Sequence, residues 1–263
     1  MIDDRITVSQ EQLGAMATMR AALDGRLPPR YATDFWDAPF QAAVKDLLSP
    51  GQRILDLGAG ARPIIPPEMR MAGCEYVGFD VSSEELEKAE VGSYDEIVVG
   101  DARQRDASLE GEFDLVVSWL AMEHIKPLSA AIDNVHSYLR PGGTLLAQLP
   151  GRFSPFSLLN LLLPSAFTRL LLRRTQDRDP ETVFPAHYDR CWYDGLAGLF
   201  RDQWSEWKVR PLYTGAGYVV FSPVLTAVYL AYEEWLYRRN RRNLAPYYLI
   251  TATASPERAA DGA

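Results

Sequence analysis

The fold is indicated most clearly by one stretch of sequence, Arg53-Ile54-Leu55-Asp56-Leu57-Gly58-Ala59-Gly60. The apolar run over 53–57 is short and is typical of a fully buried strand. The glycines that follow permit a tight turn and let the backbone approach a ligand closely, which a Cβ would prevent. This stretch therefore predicts a first strand that ends in a ligand-binding loop.

Acidic residues follow two further predicted strands. The strand Tyr76–Phe79 ends at Asp80, and the strand Glu96–Val99 ends at Gly100 and Asp101. In an open parallel sheet, ligands bind beyond the carboxyl ends of the strands, at the point where the strand order reverses. An acid at the end of the second strand is well placed to accept hydrogen bonds from two ribose hydroxyls.

The loop lacks the features expected of a phosphate site. Pro63 stands where a dinucleotide-binding loop has its third glycine, and the chain contains no Gly-Lys-Ser/Thr sequence of a P-loop. We therefore expect a nucleoside-containing ligand without a pyrophosphate.

Alternating strands and helices predict an α/β fold with a mostly parallel sheet. Residues 1–50 form an N-terminal helical segment with helices near Gln10–Leu23 and Asp37–Leu48, and residues 51–150 form the ligand-binding core. The alternation stops over 151–190, which predicts a helical insertion that acts as a lid. It resumes over 191–263, the C-terminal half of the core sheet. The remaining predicted elements are a short helix from Pro63, strands at Phe113–Ser118, Thr144–Leu149, Trp207–Leu212 and Tyr247–Ala252, and helices at Leu128–Leu139, Ser157–Arg174, Tyr193–Phe200 and Pro223–Arg239.

Charge and cysteine content exclude several classes of protein. The 263 residues include 27 Lys and Arg against 35 Asp and Glu, a net charge of −8, which argues against nucleic-acid binding. Two cysteines rule out a disulfide framework and leave a structural zinc site without its ligands. The first residues lack a signal-peptide pattern, so a cytoplasmic location is expected.

The stretch 211–232 carries no charged side chain and approaches the length that spans a bilayer. Pro211, Gly215, Gly217 and Pro223 interrupt it and favour a strand, a loop and the start of a helix. Four arginines follow closely, at positions 238, 239, 241 and 242. We expect no membrane span, whereas peripheral contact with a membrane surface stays open.

The chain resembles the class I S-adenosylmethionine-dependent methyltransferases, in particular the small-molecule group known as type 11. The resemblance covers roughly residues 45–150 and implies a Rossmann-like fold with about seven strands, helices on both faces and a helical lid. Its motifs are Asp56–Gly60, Asp80, Gly100–Ala102, Phe113–Ser118 continuing through Met122-Glu123-His124-Ile125, and Leu139–Thr144.

The resemblance implies that S-adenosylmethionine is the cofactor. Gly58 and Gly60 would border its methionine part with Asp56 near the ammonium group, Asp80 would bind the ribose, and Asp101 the adenine amino group. The full set assigned to the cofactor is Asp56, Gly58, Ala59, Gly60, Asp80, Val81, Asp101, Ala102, Ser118 and Trp119. Since a sulfonium donor calls for carboxylates, carbonyls and aromatic faces, no metal is expected.

Two histidines are candidate catalytic bases. His124 follows the fourth strand, where members of the family place a residue that faces the methyl group, and histidine titrates in the range useful for deprotonating a hydroxyl. The Glu123-His124 pair could instead brace the cofactor loop. His187, at the end of the insertion, is the second candidate, and a turn histidine without function is its alternative.

The insertion is expected to select the acceptor, because loops beyond the strand ends usually set specificity. It is basic and leucine-rich, and Arg173, Arg174 and Tyr188 are its candidate acceptor-binding residues. A helix pair that packs its leucines on the core would explain the same pattern.

The expected reaction is O-methylation of a hydroxyl on a small-molecule, saccharide or lipid-linked acceptor. C-methylation of a quinone-type ring is the nearest alternative, because an acidic carbon needs less help from a base. A cofactor-binding partner protein without catalysis is the third.

Overall fold

A computed structural model describes residues 27–162 and 185–255. Its strands form one seven-stranded sheet, as predicted. They are β1 (Arg53–Leu57), β2 (Glu75–Asp80), β3 (Glu96–Val99), β4 (Phe113–Trp119), β5 (Leu139–Pro150), β6 (Trp204–Leu212) and β7 (Tyr247–Ala254).

The strand order is β3-β2-β1-β4-β5-β7-β6. Strands β1 to β5 pair in parallel, and β7 runs antiparallel to both β5 and β6. The order reverses between β1 and β4, which places the predicted ligand crevice beyond the ends of these two strands.

Helices cover both faces of the sheet. The α-helices are α1 (Ala38–Leu47), α2 (Ser83–Glu87), α3 (Leu128–Tyr138), α4 (Pro155–Leu162), α5 (Tyr193–Ala197) and α6 (Pro223–Arg238). Short 3₁₀ turns lie at Pro29–Ala32, Pro67–Met69, Ala107–Leu109, Met122–His124, Ala216–Val219 and Arg242–Leu244. Successive residues of β1 point to opposite faces of the sheet. Ile54 packs in the same core as Phe40 of α1, whereas Leu55 packs in the core on the other face with Ile132 of α3.

Two predicted elements differ from the structure. The helix expected from Pro63 is replaced by the 3₁₀ turn Pro67–Met69, because residues that precede a proline are disfavoured in the α region and Pro66 and Pro67 supply no N–H. The predicted strand Thr144–Leu149 begins earlier, at Leu139, and a shift in pairing between Phe113 and Leu115 accommodates residues 140–143 within β5. The predicted helix over 10–23 lies outside the described residues, as does most of the predicted lid.

The uncharged stretch 211–232 is divided as expected. It contains the end of β6, the turn Ala216–Val219 and the first part of α6. Within residues 27–162 and 185–255, no helix has the length and apolar character needed to cross a bilayer.

A buried carboxylate ties α6 to the first described residues. Glu233 accepts hydrogen bonds from the Tyr31 hydroxyl and from the backbone N–H of Gly215, and the Tyr31 oxygen in turn accepts one from the N–H of Ala216 at 3.2 Å. Burial raises the pKa of Glu233 to about 7, although these hydrogen bonds favour its charged form.

Glu233 should make the protein less stable as the pH rises. Its pKa is about 7 in the fold against 4.5 for an unperturbed glutamate, so ionisation favours the unfolded chain. Its contribution is complete below pH 4.5 and is lost as the pH rises through 7, by on the order of 3 kcal/mol. Glu233→Gln should remove this part of the pH dependence, measured as the free energy of unfolding in urea from acid to mildly alkaline pH.

The adjacent residue Glu234 supplies a matched control. Hydrogen bonds from Arg30 and Arg238 lower the pKa of Glu234, so Glu234→Gln should leave the slope above pH 5 unchanged. Equal slopes in the wild type and Glu233→Gln would show that Glu233 does not titrate in this range.

Candidate functional site

The acidic residues predicted from the sequence come together at one edge of the sheet. Leu57 of β1 pairs with Phe79 of β2, and Asp80 pairs with Val99 of β3. The carboxyl ends of the three strands are therefore level, and Asp56, Asp80 and Asp101 lie at these ends, where the strand order places the predicted crevice.

The glycine loop folds over the end of β2. The N–H groups of Gly58 and Ala59 both donate to the Phe79 carbonyl, at 2.8 and 3.1 Å, and the N–H of Gly60 donates to Asp80 Oδ2 at 3.0 Å. The Tyr94 hydroxyl donates to the Ala59 carbonyl at 2.9 Å. Since these N–H groups already donate to acceptors within the protein, they are not available as the donors that a phosphate site needs.

Gly58 brings this loop against the end of β4. Its φ is +80°, and a Cβ added there would lie 2.3 Å from Ala121 Cβ. At Gly60 (φ +54°) an added Cβ would meet no atom within 4 Å, so this part of the loop faces open space.

Asp56 is fully buried near the end of β1. Its Oδ2 accepts hydrogen bonds from the Ile64 N–H at 2.9 Å and from the Tyr76 hydroxyl at 2.7 Å. Its buried Oδ1 accepts none from any residue in 27–162 or 185–255. Burial raises the pKa of Asp56 to about 7. A buried Oδ1 without a partner among the described residues is suited to a donor that a ligand would bring.

Asp80 holds the glycine loop as well as facing the crevice. Besides the Gly60 N–H, it accepts the N–H of Ser82 at 2.9 Å. The Ser82 hydroxyl accepts a hydrogen bond from the Glu85 N–H and caps the start of α2. Each carboxylate oxygen keeps a lone pair, and the exposed side chain of Val81 lies next to it.

Arg103 pairs with Asp101, an interaction that the sequence analysis missed. The guanidinium donates to both carboxylate oxygens and to the Lys126 carbonyl at 3.2 Å, and these hydrogen bonds hold the pKa of Asp101 below its usual range. The Ala102 carbonyl accepts a hydrogen bond from Asn134 at 2.8 Å. Arg103 thus links the end of β3 to the segment that follows β4.

Ser118 and Trp119 occupy different environments at the end of β4. The Ser118 hydroxyl is buried and donates to the Leu57 carbonyl at 2.9 Å, so it supports the glycine loop from inside the sheet. Trp119 contacts Trp36 edge to face, with ring centroids 5.8 Å apart.

Trp36 and Trp119 belong to an aromatic cluster that the sequence did not predict. Trp36 also contacts Tyr218 and Tyr247, at centroid distances of 6.5 and 6.2 Å, and Phe156 stacks on Tyr218 at 3.9 Å. The Tyr218 and Tyr247 hydroxyls hydrogen-bond to each other. The members of this cluster are not regularly spaced in the sequence. From the sequence alone they cannot be distinguished from aromatic residues that only fill the hydrophobic core.

The chain leaves β4 in a strained conformation and brings the catalytic candidates together. Leu120 has a φ of +54° and Tyr188 a φ of +48°, which are rare for residues with side chains. The N–H groups of His187 and Tyr188 both donate to the Glu123 carbonyl, at 2.8 and 2.9 Å. The two candidate bases, His124 and His187, therefore lie on adjoining segments.

Glu123 is buried beside His124. Its side chain is 7% exposed against 33% for His124, and Glu123 Oε1 lies 3.8 Å from His124 Nε2. Burial raises the pKa of Glu123 to about 8, and its Oε2 has no hydrogen-bond partner in the described part of the chain. Burial is also the main cause that raises the pKa of Tyr188 and of Tyr218, and the charge of Glu123 adds to it in both.

The described ends of the predicted lid are anchored on the core. Gly151 N–H donates to the Pro246 carbonyl at 2.7 Å, and the Arg152 side chain donates to the carbonyls of His187 and Tyr188. The Tyr188 hydroxyl is buried and accepts a hydrogen bond from Asn160 at 3.1 Å. Arg173 and Arg174 lie outside the described residues.

Among the described residues, carboxylates, histidines and cysteines do not converge as metal ligands would. No group of three such residues that could hold a metal ion occurs between residues 27 and 162 or between 185 and 255.

The family described as "Methyltransferase domain" matches residues 30–196, more than half of the chain. Relatives include the ubiquinone biosynthesis O-methyltransferase of Psychrobacter cryohalolentis, 25% identical over 151 residues that cover 55% of this chain and 58% of the relative. The protein of the same name from Methylococcus capsulatus is 26% identical over 208 residues, covering 76% and 86%. The match with the Psychrobacter protein thus spans less than two thirds of its length.

Among solved structures, phosphoethanolamine N-methyltransferase 2 of Haemonchus contortus, in complex with phosphomonomethylethanolamine and S-adenosylhomocysteine, has a similar fold. Its TM-score is 0.50 at 15% identity, covering 97% of this chain and 60% of that one.

The contact between Gly58 and Ala121 should determine stability at the crevice. Gly58→Ala should destabilise the protein by more than Gly142→Ala, because an alanine at Gly142 meets the same positive φ (+81°) but no atom within 4 Å. The free energy of unfolding should be lower in Gly58→Ala than in Gly142→Ala by roughly 1–3 kcal/mol, the usual cost of overpacking. Because both substitutions meet a positive φ, this difference measures the contact with Ala121 alone. Ala121→Gly should restore much of the lost stability in the double variant. An equal loss of stability in Gly58→Ala and Gly142→Ala would show that the loop after β1 can move away from Ala121 without a cost in free energy.

Proposed function

Because the chain belongs to the methyltransferase domain family and uses S-adenosylmethionine as its methyl donor, we propose that it methylates a hydroxyl group of a small-molecule, saccharide or lipid-linked acceptor. The observation that supports this most strongly is the buried carboxyl of Glu123 beside His124, at the end of β4 and next to the aromatic cluster. A hydroxyl becomes an effective nucleophile when its proton is removed, and this pair could take the proton.

The crevice fits the cofactor in three respects. Asp56 Oδ1 is a buried acceptor that could take a hydrogen bond from the ammonium group of the methionine part. The space beside Gly60 would admit that part of the cofactor, and the occupied N–H groups of the loop disfavour a phosphate ligand in its place.

The residues at the ends of β2 and β3 would contact the ribose and the adenine of the cofactor. Asp80 would accept both ribose hydroxyls through its remaining lone pairs, and Asp101 would accept the adenine amino group while it keeps the Arg103 ion pair. Val81 and the backbone of Ala102 would border the adenine ring. When bound, the cofactor supplies an electrophilic methyl group, and holding the acceptor in line with it accounts for much of the catalysis.

We assign the proton of the acceptor hydroxyl to His124. The hydroxyl oxygen would bond to the methyl carbon as the bond from that carbon to sulfur breaks, and the imidazole would take the proton. Burial raises the pKa of Glu123 to about 8, so at neutral pH its carboxyl would act on the imidazole as a polar neighbour and would become a charged one only as the pH rises. His187 is the second candidate base, and its exposed side chain lies next to the anchored Glu123 carbonyl.

The aromatic cluster favours an acceptor with a ring, because planar groups pack against Trp, Phe and Tyr faces. The relatives named for ubiquinone biosynthesis are consistent with such an acceptor. C-methylation of the same kind of ring is therefore the second candidate reaction. Isotopically labelled methyl groups separate the two, since the product carries a methoxy carbon in one case and a ring methyl in the other by NMR. Turnover of any phenolic acceptor would exclude a partner protein without catalysis.

Asp80→Ala should weaken the binding of both S-adenosylmethionine and S-adenosylhomocysteine by about 1.5–3 kcal/mol, because charge-assisted hydrogen bonds to the ribose are lost. Asp80→Asn keeps the size of the side chain and should lose less. Isothermal titration calorimetry measures both.

Asp95 provides the control for a general disturbance of β2. It accepts the Tyr76 N–H at 2.7 Å at the opposite end of that strand, so Asp95→Ala should bind the cofactor as the wild type does. Unchanged affinity in Asp80→Ala would remove Asp80 from the binding site.

His124→Ala should lower kcat by about 10²- to 10⁴-fold while the cofactor dissociation constant changes little, because a general base is lost. Glu123→Gln should leave the acidic limb of the kcat profile unchanged and alter the profile near pH 8, where the wild-type carboxyl ionises and the amide cannot.

The same variants test the alternative that these residues only brace the site. The Glu123 carbonyl, which holds His187 and Tyr188, is unaffected by Glu123→Gln, so a pH profile equal to that of the wild type would mean a purely structural role. If His124→Ala keeps its kcat and His187→Ala loses it, the base is His187.

A further inference from the structure

The outward face of α6 carries an apolar stripe, defined as Val224, Val228, Ala231 and Trp235. Successive members are four, three and four residues apart, which places them on one side of the helix. All four are exposed, Val224 by 72% and Val228 by 63%.

The inward face of the same helix holds its buried polar groups. Thr226 and Glu233 are buried there together with Leu230 and Leu236. A helix on a water-facing surface usually shows the opposite arrangement, with its apolar side inward and its charged side outward. The hydrogen bonds of Glu233 to Tyr31 and Gly215 fix this orientation.

Aromatic and basic residues continue the stripe at the end of α6. Trp235 is about half exposed, and exposed arginines follow at positions 238, 239, 241 and 242. The Arg241 guanidinium lies 5.8 Å from the Trp235 ring. This basic group stands out in a chain whose net charge is −8.

We propose that the outward face of α6 docks on a lipid bilayer that contains anionic headgroups. The valines would enter the boundary of the acyl chains, Trp235 would lie at headgroup level, and the arginines would pair with lipid phosphates. Interfacial helices combine these three features, and each arginine near an anionic surface adds to binding.

A second copy of the chain fits this face less well. Two stripes packed together would gather the arginines of both copies, and the acids of α6 are already engaged. Glu233 is buried, and Glu234 pairs with Arg30 and Arg238 at 2.6 Å each. A surface that carries its own negative charge suits the arginines better.

The surface continues toward the proposed acceptor site. The stacking of Phe156 on Tyr218 joins α4 to the turn that precedes α6, and the exposed side chains of Leu158, Leu162 and Phe221 lie on these segments. If the proposed function holds, an apolar acceptor would reach the aromatic cluster from the membrane. The docking itself does not depend on catalysis and is measured without turnover.

Cosedimentation of the full-length protein with vesicles tests the proposal. The wild type should bind vesicles of mixed phosphatidylcholine and phosphatidylglycerol, and bind pure phosphatidylcholine more weakly. Val228→Glu should reduce binding to the mixed vesicles by about ten-fold or more, because the burial of a valine is lost. Arg239→Ser and Arg241→Ser should each reduce it by about five-fold, and high salt should do the same.

Matched substitutions elsewhere should have no effect. Val91 is fully exposed in the loop before β3, at the opposite edge of the sheet, and Arg105 lies between β3 and β4. Val91→Glu and Arg105→Ser should bind vesicles as the wild type does, and an unchanged melting temperature confirms that Val228→Glu is folded.

Two results would overturn the proposal. Wild-type protein that ignores both kinds of vesicle, with a dimer in solution that Val228→Glu dissociates, would assign the stripe to a second copy. Vesicle binding that survives Val228→Glu and Val224→Glu would place the membrane contact on another part of the chain.

Discussion

The approach of Gly58 to Ala121 is the constraint on which the rest of the site depends. It presses the loop after β1 against the exit of β4, at the point where the strand order reverses. Ala121 immediately precedes the turn Met122–His124, so the backbone that would border the cofactor is in direct contact with the backbone that carries the candidate base. A shift of either segment would change the distance between donor and acceptor, and in-line transfer depends on that distance.

Sequence reasoning predicted the parts of the site that follow from a short local pattern. The bounds of β1 and β3 agree with the predicted strands, and Asp56, Asp80 and Asp101 lie at the strand ends because parallel strands place their carboxyl ends together. The aromatic cluster could not be predicted in this way, since Trp36, Tyr218 and Tyr247 meet only through the tertiary fold. The burial of Glu123 was equally hidden, because the surrounding residues come from 185–190 and from the turn before α6.

Three carboxyl groups share an uncommon environment: Asp56, Glu123 and Glu233 are all buried, and burial raises the pKa of each. Burial of a charge is costly unless partners compensate for it. Glu233 has such partners and serves the fold, whereas Asp56 and Glu123 each keep an oxygen without one among the described residues. A buried carboxyl oxygen without a partner is available to a ligand, so Asp56 and Glu123, unlike Glu233, fit the roles proposed for them.

The orientation of α6 follows from the same balance. Turning the helix to bury Val224 and Val228 would gain about 1.5–3 kcal/mol for each valine. It would also expose Leu230 and Leu236, which loses a similar amount for each leucine, and break the hydrogen bonds that Tyr31 and Gly215 donate to Glu233. The losses exceed the gain, so packing and hydrogen bonds together hold the apolar stripe outward. The valines of the stripe are then available to enter an apolar environment such as the interior of a bilayer, and the adjoining arginines favour a bilayer whose surface is negatively charged.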